Sequence, residues 1–225
     1  MLCPWRGTDC RPPPLRRRAS RPQLKRDPLG APMTFTQSQI EQHNRLYTWG
    51  LWLIRSEIWI DGEPRSARPG WIARWRLRRG ISLLSKALRI NPSWQNHFWI
   101  GKALQRLGDN RKAITWFTEA MRLQPSEPSI LREGANVALE LQDYDYALAL
   151  LRAAMEIRPD DATLHHNLGL AFLLAGRPHD AREPLERALA LQPHHGTATL
   201  LGICNEVLQG VRSCPRTLDD VRRGA

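Results

Sequence analysis

The side chains in this sequence that could do chemistry are seven histidines, four cysteines and a group of arginines set among tryptophans. His165-His166 and His194-His195 are adjacent pairs. Neighbours on a helix point about 100° apart, so neither pair can close on a single metal ion. Cys3, Cys10, Cys204 and Cys214 lie near the ends of the chain and form no CxxC pair. Their spacing fits neither a zinc site nor a disulfide framework, so they read as free thiols in a reducing compartment. No Ser/His/Asp order, phosphate-cradling glycine loop or paired carboxylates stand out. The expectation is a protein that is not an enzyme and takes no metal and no cofactor. Arg74, Arg76, Arg78 and Arg79 cluster beside Trp71 and Trp75. That mixture suits an anionic membrane surface, a protein interface or phosphate groups. No RNA-binding motif accompanies it, and a solvated helix face is the plainer use of four arginines.

Charge is spread unevenly over the 225 residues, whose formal net charge is +11. Residues 1–32 hold eight Arg/Lys against two Asp, residues 33–93 ten basic against four acidic groups, and residues 94–225 15 basic against 16 acidic. A strongly basic chain points to nucleic acid, but here the pointer is confined to the first 93 residues. Residues 1–32 read as a disordered basic extension, because Pro12-Pro13-Pro14, Pro22, Pro28 and Pro32 alternate with arginines and little can be buried. Met33 follows directly. Translation from Met33 and a transit peptide are both open readings, the prolines opposing the amphipathic helix of the second. No secretory signal is read, and the longest apolar stretch, Leu46 to Ile60, is too short to span a membrane and carries Arg55 and Glu57. A cytoplasmic protein is expected.

From Thr36 the pattern becomes helical. Thr36 or Ser38 caps a helix expected to reach about Ile60, with Leu46, Trp49, Leu53 and Ile60 on one face. Asp61-Gly62-Glu63-Pro64 breaks it, 65–70 is a loop, and a second helix runs from Trp71 to about Ile90. Eight of the nine tryptophans precede residue 100, and a bulky aromatic core is the expected use for most of them. Pro92, Pro125, Pro159 and Pro193 then recur 33 or 34 residues apart, each closing a phrase of the type Ala188-Leu189-Ala190-Leu191-Gln192-Pro193. A fixed period in the thirties marks a repeat array. Each unit splits into two helices around a turn such as Gly176-Arg177-Pro178. Gly101, Ala135 and Gly169 on the first helices, with Ala113, Ala147 and Ala181 on the second, supply small residues where helices approach closely.

These residues carry a resemblance. Leu168-Gly169, Phe172, Gly176, Ala181, Ala188 and Pro193 match the spacing of the tetratricopeptide repeat, as do Ile100-Gly101, Gly108, Ala113, Phe117, Ala120 and Pro125. The middle unit departs, with Gly134-Ala135 for Leu-Gly and Gln142 at the turn glycine. The chain resembles that family over 94–193, less so over 33–93, and not over 1–32. The resemblance implies an all-α, right-handed α-solenoid of antiparallel helix pairs. It would hold three clear repeats over 94–193, a divergent Trp-rich helix pair over 33–93, and over 194–225 a capping helix (Thr197 to Gln209) followed by a polar tail.

The resemblance also implies a scaffold or adaptor that holds a partner protein or peptide in a concave groove lined by the first helices. Carried over by position, the groove candidates are Gln95, Phe98, Lys102 and Gln105, then Arg132, Asn136 and Leu139, then Thr163, His166, Asn167, Leu170 and Leu173. Some modules of this kind hold a terminal carboxylate between a cation and two amides. Arg132, Asn136 and Asn167 resemble that set, whereas Gly196, Thr197 and Leu200 offer no base for its last member. His97 and His165 fall where the family packs an aromatic. The alternative reading is a membrane-surface or nucleic-acid role for the basic, Trp-rich residues 33–93, and an enzyme's accessory repeat domain is a further one.

Overall fold

The structure, a computed structural model, describes residues 35–60, 63–64 and 68–223, with backbone alone at 59–60 and 63–64. The basic extension, Met33, the Asp61-Gly62 break and the loop at 65–67 lie outside these residues. The chain divides into two compact units between Leu107 and Gly108.

The first unit holds α1 (Gln37–Ile58), α2 (Trp71–Ile90) and α3 (Trp94–Leu107). Thr36 starts α1 through a reciprocal capping box: its N–H donates to Gln39 Oε1 at 2.9 Å, and the Gln39 N–H donates to Thr36 Oγ1 at 3.2 Å. The helix stops at Ile58, earlier than expected, because β1 (Trp59–Ile60) pairs antiparallel with β2 (Glu63–Pro64).

The expected face of α1 is displaced. Its buried stripe is Gly50, Leu53, Ile54, Glu57 and Ile58, and Trp49 is exposed. The cause is the seam with α2. A Cβ placed on Gly80 would stand 2.6 Å from Ile54 Cγ1 and 2.9 Å from the Gly50 carbonyl oxygen. Backbones that close admit no indole, so the expectation of a tryptophan core is corrected. The core is aliphatic, built on Ile54, Leu77, Leu84, Ala87, Ile100 and Ala103, while Trp71 and Trp75 stand in solvent.

Glu57 is the charged member of this buried stripe. Its carboxylate lies 2.9 Å from Arg76 Nη1, and its carbonyl accepts from Arg106 Nε at 3.1 Å. The Arg76 guanidinium also sits 5.3 Å from the Trp52 ring centre. Loss of a partner from a buried pair costs several kcal/mol, but Arg76 is about a quarter exposed and water can partly replace it. Arg76→Ala is therefore expected to lower stability by about 1–3 kcal/mol, read by urea denaturation.

The second unit contains α4 (Asn110–Leu123), α5 (Pro128–Glu140), α6 (Tyr144–Ile157), α7 (Ala162–Leu174), α8 (Pro178–Leu191), α9 (His195–Leu208) and α10 (Leu218–Arg223). Successive elements from α4 to α9 pack on one another, so helix pairs stack as a solenoid does. Each first helix ends in the same left-handed turn. The N–H groups of Asp143, Arg177 and Val211 reach back to the carbonyls of Ala138, Phe172 and Glu206, all at 2.9 Å. The residues at the left-handed position are Gln142, Gly176 and Gly210, with φ of 62°, 72° and 72°. This is the Schellman stop, and it favours glycine. Gln142 holds the same turn against a side-chain penalty of about 1 kcal/mol, so Gln142→Gly is expected to raise the melting temperature by roughly 2–4 °C. Asp109 and Asp143 then cap α4 and α6, and Asp161 caps α7 by accepting from the N–H groups of Thr163 and Leu164.

α7 is apolar on nearly every side, because it lies among α6, α8, α9 and α5. Leu173 is fully buried and Leu139 nearly so, which removes both from the groove candidates and assigns them to the core.

The expected polar tail is folded. Pro215 is buried, and Leu218 and Val221 pack on the core cluster. The Tyr144 hydroxyl donates to the Arg216 carbonyl, Cys214 Sγ donates to the Leu173 carbonyl at 3.1 Å, and Arg222 meets Glu140 at 3.3 Å. α10 starts from a second capping box, in which Asp220 N–H donates to Thr217 Oγ1 and Thr217 N–H donates to Asp220 Oδ2. Thr217-x-x-Asp220 was the sequence signal for it.

Candidate functional site

Arg132 and Asn136 stand one turn apart on α5, and His166 and Leu170 one turn apart on α7, with Asn167 beside them. Two rungs tie the first helices together. Asn167 Nδ2 donates to Asn136 Oδ1 at 3.1 Å, joining α7 to α5. His166 Nδ1 and Thr197 Oγ1 lie 2.9 Å apart, joining α7 to α9. Each rung spans 31 residues, a repeat period less about one helical turn. Asn167 and Thr197 are buried, and Asn136, His166 and Leu170 are half-buried.

The chemistry of this face follows from how the rungs are made. Asn136 accepts through Oδ1, so its amide donor remains for another acceptor. Arg132 is half-buried, and its guanidinium stands 3.7 Å from the Glu133 carboxylate, too far for a hydrogen bond. A cation one turn from an oriented amide donor can take a carboxylate or a peptide carbonyl. On α9, Thr197 is committed to His166 and Leu200 is buried, so no base completes the set there. Phe98 and Lys102 belong to the first unit. Phe98 lies edge-on to Trp94 and Trp99, at 6.4 and 5.4 Å between ring centres, and Lys102 is half-buried one turn further along α3. Thr163 is exposed, while His165 is buried with Nε2 2.7 Å from the Pro159 carbonyl.

Thr197 was missed as a positioning residue, although its 31-residue offset from His166 repeats that of the asparagine pair. Burial, and then the neighbouring His194, hold the His166 pKa below the usual histidine value. The unfolded chain therefore takes up this proton more readily than the folded one. The His166 contribution to stability is complete above about pH 6.5 and is lost as the pH falls from there toward the lowered folded value. Melting curves from pH 7.5 down to 5.5 should fall, and His166→Gln should flatten that slope.

An open cleft of about 660 Å³ lies under the folded tail, lined in part by Leu174, Arg212, Cys214, Arg216 and Asp220. Its carboxylate is used internally: Asp220 accepts from the Thr217 and Arg216 backbone N–H groups and pairs with Arg223 at 3.1 Å. Among the described residues, no group of three or more His, Cys, Asp or Glu is placed to hold a metal, and no helix is long and apolar enough to cross a membrane.

Two family models, both described as tetratricopeptide repeat, match residues 95–127 and 126–194. Among curated proteins, the peroxisomal targeting signal receptor of Candida albicans is 26% identical over 126 residues. That match covers 54% of this chain and 20% of the receptor, so this chain spans about a fifth of that relative. Among solved structures, MamA from Desulfovibrio magneticus RS-1 superposes with a TM-score of 0.57 at 24% identity, covering 68% of this chain and 82% of MamA. YrrB, described as a TPR protein with an unusual peptide-binding site, gives 0.55 at 18%, covering 72% and 74%. The first TPR of Spaghetti bound to the HSP90 peptide SRMEEVD gives 0.51 at 19%, covering 52% and 94%. At these identities the solved structures speak to the fold.

Proposed function

The chain is a tetratricopeptide-repeat protein, and from that premise we propose that it is a non-catalytic scaffold holding a partner protein or peptide on the face of α5, α7 and α9. The observation that carries this reading is the pair of rungs, Asn136–Asn167 and His166–Thr197, which fix a row of polar groups next to the Arg132 cation. Such a row reads an extended chain: amides meet backbone groups, the cation meets a carboxylate, and Leu170 offers an apolar patch. YrrB has a peptide-binding site by its description, and the Spaghetti repeat carries a peptide with three acidic side chains, which supports an acidic peptide as the class of partner. Phe98 and Lys102 on α3, in the first unit, are proposed as contacts in their own right, apart from this face. A cytoplasmic location suits Cys204 and Cys214, both free thiols whose pKa burial pushes up.

The test is an array of peptides, each with a free or an amidated terminus, incubated with the full chain. A set retained by the wild type and retained less strongly on Asn136→Ala is the expected outcome. Identical retention by both proteins would remove this face from the reading.

A further inference from the structure

α2 contains no acidic residue in Trp71–Ile90, yet it carries five arginines and Lys86. Its inner stripe, Leu77, Gly80, Leu84 and Ala87, is buried against the rest of the first unit. The opposite side of its first half is a single exposed face. Trp71 is 80% exposed, Trp75 61% and Ile72 53%. Trp71 and Trp75 sit one turn apart, and Arg78 and Arg79 continue their stripe toward the C-terminus, with Arg74 alongside. At about 100° per residue these six side chains span about 160° of the helix. Arg74 Nε is held by the Pro69 carbonyl at 3.1 Å, while Arg78 and Arg79 are exposed. Arg76 is excluded from the face, because it is turned inward onto Glu57 and Trp52.

We propose that this face docks the protein on an anionic lipid bilayer surface. Two indoles and an isoleucine left in water are unfavourable, and their burial at the acyl boundary removes that cost. Indole also carries a polar N–H, which suits the interfacial depth at which headgroups sit. The charge complements that surface: three exposed arginines, no carboxylate on the helix, and a helix N-terminus without an acidic first turn all favour phosphate and carboxylate headgroups. A nucleic acid would use the arginines and could stack the indoles, but it gives Ile72 no comparable benefit. The α5–α7–α9 face has no part in this inference, which stands or falls separately from peptide binding.

The experiment is co-sedimentation of the full chain with vesicles of phosphatidylcholine alone and of phosphatidylcholine with about one-third phosphatidylserine. Trp71→Ala/Trp75→Ala and Arg78→Glu/Arg79→Glu are compared with the wild type. All six residues point away from the core, and matching circular dichroism and melting curves check that the variants are folded. Binding to the anionic vesicles is expected, with a loss of at least about tenfold in partitioning for each double variant. Residues 1–34 are present in every arm, so the difference between variants isolates α2. Wild-type partitioning that is unchanged by the tryptophan substitutions overturns the proposal, as does absence of binding to the anionic vesicles. A single-stranded RNA oligomer, run in parallel, that binds while anionic vesicles do not would assign the face to nucleic acid instead.

Discussion

Arg132→Glu is expected to weaken capture of acidic, free-carboxylate peptides by roughly 10- to 100-fold while leaving amidated counterparts within a few-fold. A charge-assisted hydrogen bond contributes about 1.5–3 kcal/mol, and reversing the charge adds repulsion in a partly desolvated position. At 1.4 kcal/mol per tenfold, that loss is large enough to read by fluorescence anisotropy. The half-buried guanidinium, 3.7 Å from the Glu133 carboxylate, is the structural reason to choose this residue. Asn136→Ala is expected to cost less, about fivefold, because it removes a neutral donor and leaves Asn167 without its rung. Equal affinity of the wild type for free and amidated peptides would contradict the carboxylate reading. Equal affinity of wild type and Arg132→Glu would contradict the role of α5 altogether.

A size exchange between Gly169 and Leu185 should show the largest stability effects. A Cβ on Gly169 would stand 2.5 Å from Leu185 Cγ and 3.2 Å from the Ala181 carbonyl oxygen, so α7 and α8 meet there with no spare volume. Gly169→Ala gains about 1 kcal/mol of helix propensity but forces the fully buried Leu185 off its place, for a net loss of about 1–2 kcal/mol. Leu185→Ala opens a cavity and is expected to cost about 2–5 kcal/mol. In the double variant the new methyl enters the space vacated by the leucine. Its loss should therefore fall short of the summed single losses by about 1 kcal/mol or more, measured by urea denaturation. Strict additivity would mean that the two side chains do not compete for one volume.

Much of the fold was legible in the sequence, residue by residue. The spacing of Pro92, Pro125, Pro159 and Pro193 gave the array, and α3 to α8 fall where that spacing put them. Glycine at 176 marked a left-handed turn, and the turn is kept even where Gln142 replaces glycine. Of the candidate site, Arg132, Asn136, His166 and Asn167 were assigned to first helices by repeat phase alone, and they lie on α5 and α7, since residues one period apart occupy equivalent positions on successive pairs. Leu139 and Leu173 were misplaced by the same reasoning. They share the helices of the polar candidates, but α7 is enclosed by its neighbours, and no periodicity within thirteen residues reveals how many partners a helix will have.

The sequence by itself determined the helices from α2 to α9, most of their caps and stops, and the repeat to which they belong. Those are settled by residues within a turn or two of one another: a hydroxyl three positions before an amide acceptor, a glycine where φ is positive, a proline at a fixed interval. The tertiary structure alone decided which faces are buried. It turned α1 so that Gly50 meets α2 and left Trp71 and Trp75 in solvent, joined Asn136 to Asn167 and His166 to Thr197, and folded residues 214–223 back onto the second unit. Burial depends on the volume and polarity of atoms that are far apart in the chain, and those come together only when the helices pack.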